Sequence, residues 1–165
     1  MRDRAGSVSF PVDQGPFRIG LRVADVAAAA EFYRGFGFTD LGTIPATDGS
    51  PLMTILARDG ALIILDSLHG MPFADDVREA QTQAGPRGLG VAIGIGVDDL
   101  DFTYEYCRSN GCEIRREPTD EPWGDRVFEC LDPFGYLLEI SQPVSGVPVD
   151  EALAATAEQW RDAST

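Results

Sequence analysis

The feature that most constrains this chain is that it is written twice. Displaced by 74 residues, Phe17-Arg-Ile-Gly-Leu-Arg-Val-Ala-Asp25 overlays Val91-Ala-Ile-Gly-Ile-Gly-Val-Asp-Asp99, and Glu31 and Gly37 fall on Glu105 and Gly111. One inserted residue later, Gly60-Ala-Leu-Ile-Ile-Leu65 overlays Gly135-Tyr-Leu-Leu-Glu-Ile140. Self-similarity at a fixed displacement marks a repeated supersecondary unit. A chain of 165 residues has room for two such units and little else.

Each copy reads as a strand, a helix and three strands. Ile19, Leu21 and Val23 alternate with other residues, the period of a half-buried strand. Asp25 and Asp99 stand where N-caps belong, which explains both carboxylates without catalysis. The helix after Asp25 aligns Val26, Ala29, Ala30 and Tyr33, and the helix after Asp99 aligns Leu100, Thr103, Tyr104 and Cys107. Gly37 and Gly111 stand near their ends. Further strands are expected at 37–44, 51–57 and 61–66, then at 112–117, 126–131 and 136–141. Arg58-Asp-Gly60 and Asp132-Pro-Phe-Gly135 supply the turns. The expected fold class is α+β, two tandem βαβββ modules whose curled mixed sheets surround a cleft. Its parts are an N-terminal arm (1–16), a first module (17–66), a connecting segment (67–89), a second module (90–142) and a C-terminal tail (143–165), with both modules in one domain. The connection is expected to carry a short helix at 73–80. The tail is expected to carry a helix from 150 to 162 that docks through Leu153, Ala154, Ala157 and Trp160. A strand pair near Ser7–Phe10 would extend a partner's sheet.

Composition removes several function classes. The formal charge is −14, and all 13 basic residues are arginine. Schiff-base, pyridoxal phosphate and phosphate-loop chemistry need a lysine and are excluded. Nucleic acid is a poor partner for so acidic a chain. Arg2, Asp3 and Arg4 leave no apolar leader, and no apolar run approaches the roughly 18–20 residues that span a bilayer. No membrane partner and a cytoplasmic location are therefore expected. Cys107, Cys112 and Cys130 are odd in number and lack disulfide spacing, and the C-x4-C pair has no second pair to complete a zinc site. They are read as reduced, unreactive thiols. His69, the single histidine, lies beside Gly70, Met71 and Pro72 and is read as an ordinary loop histidine.

The strand–Asp25–helix stretch with Phe32-Tyr33, the Val97-Asp-Asp-Leu100 stretch, and Pro122-Trp-Gly-Asp-Arg126 leading to Asp132-Pro-Phe-Gly-Tyr-Leu-Leu-Glu139 together resemble the vicinal oxygen chelate superfamily. That superfamily includes glyoxalase I, bleomycin resistance proteins and extradiol dioxygenases. The resemblance covers residues 17–142. It implies a homodimer and, in metal-using members, ligands on the first and last strands of each module. Those positions here are Arg18, Ile64, Ala92 and Glu139. A cation, an alkyl chain, a methyl and one carboxylate do not make a divalent-ion site. No metal and no cofactor are expected, and Glu139 is the only candidate catalytic group.

Strand alternation turns Arg18, Gly20 and Arg22 toward the cleft in one copy and Ala92, Gly94 and Gly96 in the other. The final hairpins are expected to add Met53, Ile55, Leu62 and Ile64, with Phe128, Cys130, Leu137 and Glu139 as counterparts. The strand glycines mark either close approach by a ligand or space filled by helices or a dimer mate. Arg18 and Glu139 read as polar anchors or as an internal ion pair. Trp123 reads as a stacking wall or as a plug for its own loop. The candidate ligand-binding set is Arg18, Gly20, Arg22, Met53, Ile64, Ala92, Gly94, Trp123, Phe128 and Glu139. The expected function is metal-independent sequestration of a bulky small molecule, cationic or planar aromatic, as in the bleomycin-resistance branch. The alternative is a lyase, isomerase or oxygenase with altered metal ligands, and a third reading is an interaction domain with a vestigial cleft.

Overall fold

The computed structural model describes residues 17–162, so the N-terminal arm and the strand pair near Ser7–Phe10 lie outside the described residues. The chain divides into two units at Gly85/Pro86. The first contains β1 (Arg18–Val23), α1 (Val26–Arg34), β2 (Thr39–Pro45), β3 (Pro51–Arg58), β4 (Ala61–Ser67) and α2 (Asp76–Ala84). The second contains β5 (Ala92–Gly96), α3 (Leu100–Ser109), β6 (Glu113–Asp120), β7 (Asp125–Leu131), β8 (Leu137–Pro143) and α4 (Val149–Asp162). Each unit has one open, four-stranded mixed sheet, ordered β1-β4-β3-β2 in the first and β5-β8-β7-β6 in the second. The first and last strands of each module pair in parallel, and the other pairs are antiparallel. The βαβββ reading of both copies therefore holds.

Local chemistry explains why both copies fold alike. The carboxylate of Asp25 accepts a hydrogen bond from the Ala28 N–H at 2.9 Å, and that of Asp99 accepts one from Phe102 N–H at 2.9 Å. Each cap satisfies a donor that the first helical turn leaves without a partner. Gly37 and Gly111 both take φ +85°, the left-handed conformation that lets the chain leave the helix and enter the next strand. In the first unit α1 buries Val26, Ala29, Ala30 and Tyr33 against β3 and β4, whose Leu56, Ile63 and Leu65 share the helix-facing side with Leu21 of β1. In the second, α3 buries Leu100, Thr103 and Cys107 over Ile93, Ile95, Leu138 and Ile140.

The hairpins differ. Arg58 pairs with Ala61 across Asp59 and Gly60, which take φ +48° and +82° as a tight two-residue turn requires. In the second unit Leu131 pairs with Leu137, and the Asp132 carboxylate holds the longer turn by accepting from the N–H groups of Phe134 and Tyr136. Two helices also depart from expectation. α2 starts at Asp76 because Asp75 takes the cap, accepting from Arg78 N–H at 2.7 Å. α4 forms over the expected span, but Leu153 and Trp160 are 66% and 67% exposed and only Ala152 is buried. Helical spacing aligns the apolar residues of α4 but does not fix how deeply each is buried. No helix among the described residues is long and apolar enough to cross a membrane.

Candidate functional site

Each sheet has a face turned away from its helix, and register decides which residues stand on it. In the first unit Gly20 pairs with Ile64 and Ile64 with Ile55, while Arg18 pairs with Leu62 and Met53 with Asp66. Arg18, Gly20, Arg22, Met53 and Ile64 therefore share the far face. Arg18 is exposed and has no hydrogen-bond or ion-pair partner among the described residues. A Cβ built on Gly20 meets nothing within 4 Å, so no part of the described chain fills that space. At the turn end of this sheet a hollow of about 350 Å³ is lined by Gly37, Thr39, Leu41, Ala57, Arg58, Asp59, Gly60 and Leu62. Leu62 joins it to the Arg18 row.

Arg22 departs from its expected role as a ligand contact. Its guanidinium donates to the carbonyls of Ser67 (3.2 Å), Met71 (3.1 Å) and Pro72 (2.6 Å) and lies 4.2 Å from the centroid of the Phe73 ring. A planar fork with several donors fits such carbonyls well, and the ring face attracts the cation. Arg22 thus pins the connecting segment against β4, and Met71 and Phe73 serve this packing. Sequence reasoning missed Asp66, which sits beside Arg22 on the same face. Its Oδ1 is buried without a hydrogen-bond partner among the described residues. Burial pushes the carboxyl above its ordinary pKa, and the nearby Arg22 charge only partly offsets this.

In the second unit Ala92, Gly94 and Gly96 are exposed on the far face, and added Cβ atoms at both glycines meet nothing within 4 Å. Gly94 pairs with Glu139, and Glu139 pairs with Glu129. Glu139 is half-buried and has no hydrogen-bond or ion-pair partner among the described residues, whereas Glu129 meets Arg116 at 3.2 Å. The same Arg116 also binds the buried Glu121. Trp123 is half-buried in the turn before β7. Beside it Gly124 takes φ +96°, and an added Cβ would stand 2.4 Å from the Ser145 carbonyl oxygen. Only glycine fits there without displacement. His69 is exposed on its loop.

Phe128 does not line the far face. It pairs with Ile140, is fully buried, and meets the Tyr104 ring of α3 edge-on at 5.3 Å. Cys130, paired with Leu138, likewise points toward α3. The extra residue falls in the turn after β7, so β7 keeps the displacement of 74 while β8 takes 75, and Phe128 and Cys130 stand where Thr54 and Leu56 stand in the first module, on the side facing the helix.

That placement brings together residues the sequence expectation keeps apart. The sulfurs of Cys107 on α3, Cys112 in the turn after it and Cys130 on β7 all lie within 4.8 Å of one another. Cys107 and Cys130 are buried and Cys112 is half-buried. Donation from Cys107 and Cys112 holds the Cys130 thiol well below its ordinary pKa, against the effect of burial. Cys112 is pushed up by its hydrogen bonds to Cys107 and Cys130 and by burial. Cys107 is lowered by Cys112, but its bond to Cys130 and its burial outweigh that.

These features fall inside a recognised family. The family model for the Glyoxalase/Bleomycin resistance protein/Dioxygenase superfamily matches residues 15–140. Rv0887c of Mycobacterium tuberculosis (strain H37Rv) is 31% identical over 145 residues, covering 84% of this chain and 81% of that protein. Mb0911c of Mycobacterium bovis is also 31% identical, covering 84% of this chain and 90% of its own length. Among solved structures, a glyoxalase/bleomycin resistance protein/dioxygenase family enzyme from Burkholderia phytofirmans PsJN superposes with a TM-score of 0.61 at 17% identity, covering 81% of this chain and all (100%) of that one. TnmS3, an antibiotic binding protein from Streptomyces sp. CB03234, superposes with a TM-score of 0.51 at 23% identity, covering 76% and 93%. At those identities the superpositions speak for the fold, and the sequence matches speak for the family. The chain belongs to the Glyoxalase/Bleomycin resistance protein/Dioxygenase superfamily.

Proposed function

We propose that this chain binds and sequesters a bulky small molecule without a metal ion. The observation that carries this reading is the far face of the first sheet. There an open glycine floor and the apolar chains of Met53, Ile55 and Ile64 run between Asp66 at one end and Arg18 at the other, where Leu62 joins the Arg18 row to the hollow of about 350 Å³. Apolar walls with a few polar groups are the usual composition of a small-molecule site, and pockets of about 300–1,000 Å³ are typical. On this reading Asp66 offers an acceptor and Arg18 a donor. In the second unit Gly94 and Ala92 leave room beside Glu139. The action is exclusion, in which burying the ligand removes it from solution, and no bond in it is made or broken.

The donor set argues against the metal chemistry of other superfamily members. Arg18, Ile64, Ala92 and Glu139 provide one carboxylate where such a centre uses three or more protein ligands. An arginine among them would add repulsion. No step is therefore routed through a metal. The charge of −14 draws cations, Arg18 favours an acceptor on the ligand, and the exposed glycines suit a flat ring system. The proposal further has the chain act as a homodimer. It also places the chain in the cytoplasm, a reducing compartment suited to three free thiols.

The test is calorimetric titration with a cationic glycopeptide antibiotic and with planar aromatic natural products. One of these classes should bind at micromolar concentration, and Gly20→Val should weaken it at least tenfold with an unchanged melting temperature. No binding by either class at high micromolar concentration would overturn the reading. Glu139, half-buried and without a hydrogen-bond or ion-pair partner among the described residues, supports one second reading, in which it serves as a general base. Turnover of a substrate abolished by Glu139→Gln would favour that reading.

A further inference from the structure

We propose that Cys107, Cys112 and Cys130 form a three-thiolate site for a thiophilic d10 divalent ion, Zn²⁺ or Cd²⁺. Three separate segments deliver one sulfur each to a common point, with all sulfurs within 4.8 Å of one another. The internal duplication makes this convergence informative. At the displacement of 74, Cys107, Cys112 and Cys130 correspond to Tyr33, Phe38 and Leu56 of the first module. Those three are bulky core residues, exposed by 0%, 7% and 0%. A core that needs only filling keeps its bulk, since losing it opens cavities. Here all three positions carry thiols.

The geometry suits an ion. With a Zn–S distance of about 2.3 Å, tetrahedral or trigonal coordination sets the sulfurs about 3.8–4.0 Å apart. Small side-chain rotations from the present spacing reach that. Thiolates select soft ions over the oxygen-preferring ones. The left-handed Gly111 and the hydrogen bond from Cys112 N–H to the Cys107 carbonyl (3.0 Å) fold the chain back so that both sulfurs meet Cys130. Half-buried Cys112 provides the entry path. Binding is a proton exchange: each S–H loses its proton to solvent as an S–metal bond forms, no atom is oxidised, and the three thiolates with a dication leave one negative charge. The site faces α3, on the opposite side of the sheet from Glu139, so it is independent of the small-molecule proposal.

The experiment is titration of reduced, chelator-stripped protein with Cd²⁺, followed by sulfur-to-metal charge-transfer absorption in the ultraviolet. Absorption should saturate at one ion per chain, and Zn²⁺ should compete. Binding should be at least 100-fold weaker in Cys112→Ser and in Cys130→Ser and unchanged in Glu139→Ala. If Cys130→Ser fails to fold, the wild type decides the question, because one equivalent of Cd²⁺ should slow iodoacetamide modification of Cys112 at least tenfold. Absence of the band at one equivalent, an undiminished band in Cys112→Ser, or an unchanged alkylation rate would overturn the proposal.

Discussion

In the first module Tyr33, Phe38 and Leu56 close the space between helix and sheet, with the Tyr33 and Phe38 rings meeting edge-on at 6.3 Å. In the second, Cys107, Cys112 and Cys130 occupy the same three places. The far faces differ as well: Arg22 of the first module corresponds to Gly96 of the second, and Ile64 to Glu139. Between the two copies the backbone instructions survived, namely the capping Asp25 and Asp99 and the left-handed Gly37 and Gly111. The side chains that those backbones present did not. A fold can therefore be repeated while the chemistry of each copy is set separately.

The sharpest way to break this comparison is at the paired core positions. Tyr33→Ala should cost about 3–5 kcal/mol in denaturant unfolding, as large buried aromatics do. Cys107→Ala at the equivalent place removes one sulfur and should cost about 1–2 kcal/mol in the metal-free protein. Equal costs would mean the thiols carry ordinary packing load. Next in size, Arg22→Ala should cost about 1–3 kcal/mol and speed hydrogen exchange in residues 67–73, because it removes charge-assisted bonds to three carbonyls. The second module, with Gly96 at that place, has no such clamp to lose.

A smaller effect separates the two faces by pH. Burial raises the folded-state pKa of Asp66, so ionising it costs stability as pH rises through the interval from its ordinary value to the raised one. Asp66→Asn should therefore stabilise the protein at neutral pH, by less than about 1 kcal/mol given solvent screening. The gain should vanish below the ordinary carboxylate pKa, and melting curves at pH 3.5 and 7, as approximate settings, check this. Smallest of all, Gly20→Ala and Gly94→Ala should each change stability by no more than about 0.5 kcal/mol, since neither new methyl meets anything within 4 Å among the described residues. A large loss at either would show that a second chain or another element occupies that face.

Much of this organisation was legible in the sequence. The duplication, both caps, the strand–helix alternation and the first module's far face follow from period and turn chemistry. The second hairpin was misread for one reason. The one-residue insertion lies in the Asp132 turn, after β7, so β7 keeps the displacement of 74, and applying the 75 of β8 to β7 puts Phe128 and Cys130 on the wrong face. The same slip hid the thiol cluster, because Cys107 was placed on the helix face and Cys130 was turned away from it. Counting the turn residue would have revealed both. The Arg22 clamp was invisible for a different reason, since its acceptors are backbone carbonyls, which no side-chain pattern records. The isolation of Asp66 Oδ1 likewise depends on tertiary burial.

The most direct test of the account is thermal melting of chelator-stripped protein with Mn²⁺, Ni²⁺ and Zn²⁺, comparing wild type, Glu139→Ala and Cys112→Ser. At 100 times its dissociation constant a bound ion should raise the melting temperature by about 5–10 °C. The account predicts a rise with Zn²⁺ that survives Glu139→Ala and disappears in Cys112→Ser, and none with Mn²⁺. A rise with Mn²⁺ or Ni²⁺ that Glu139→Ala abolishes and Cys112→Ser leaves intact would contradict it and restore a metal to the position the wider family uses.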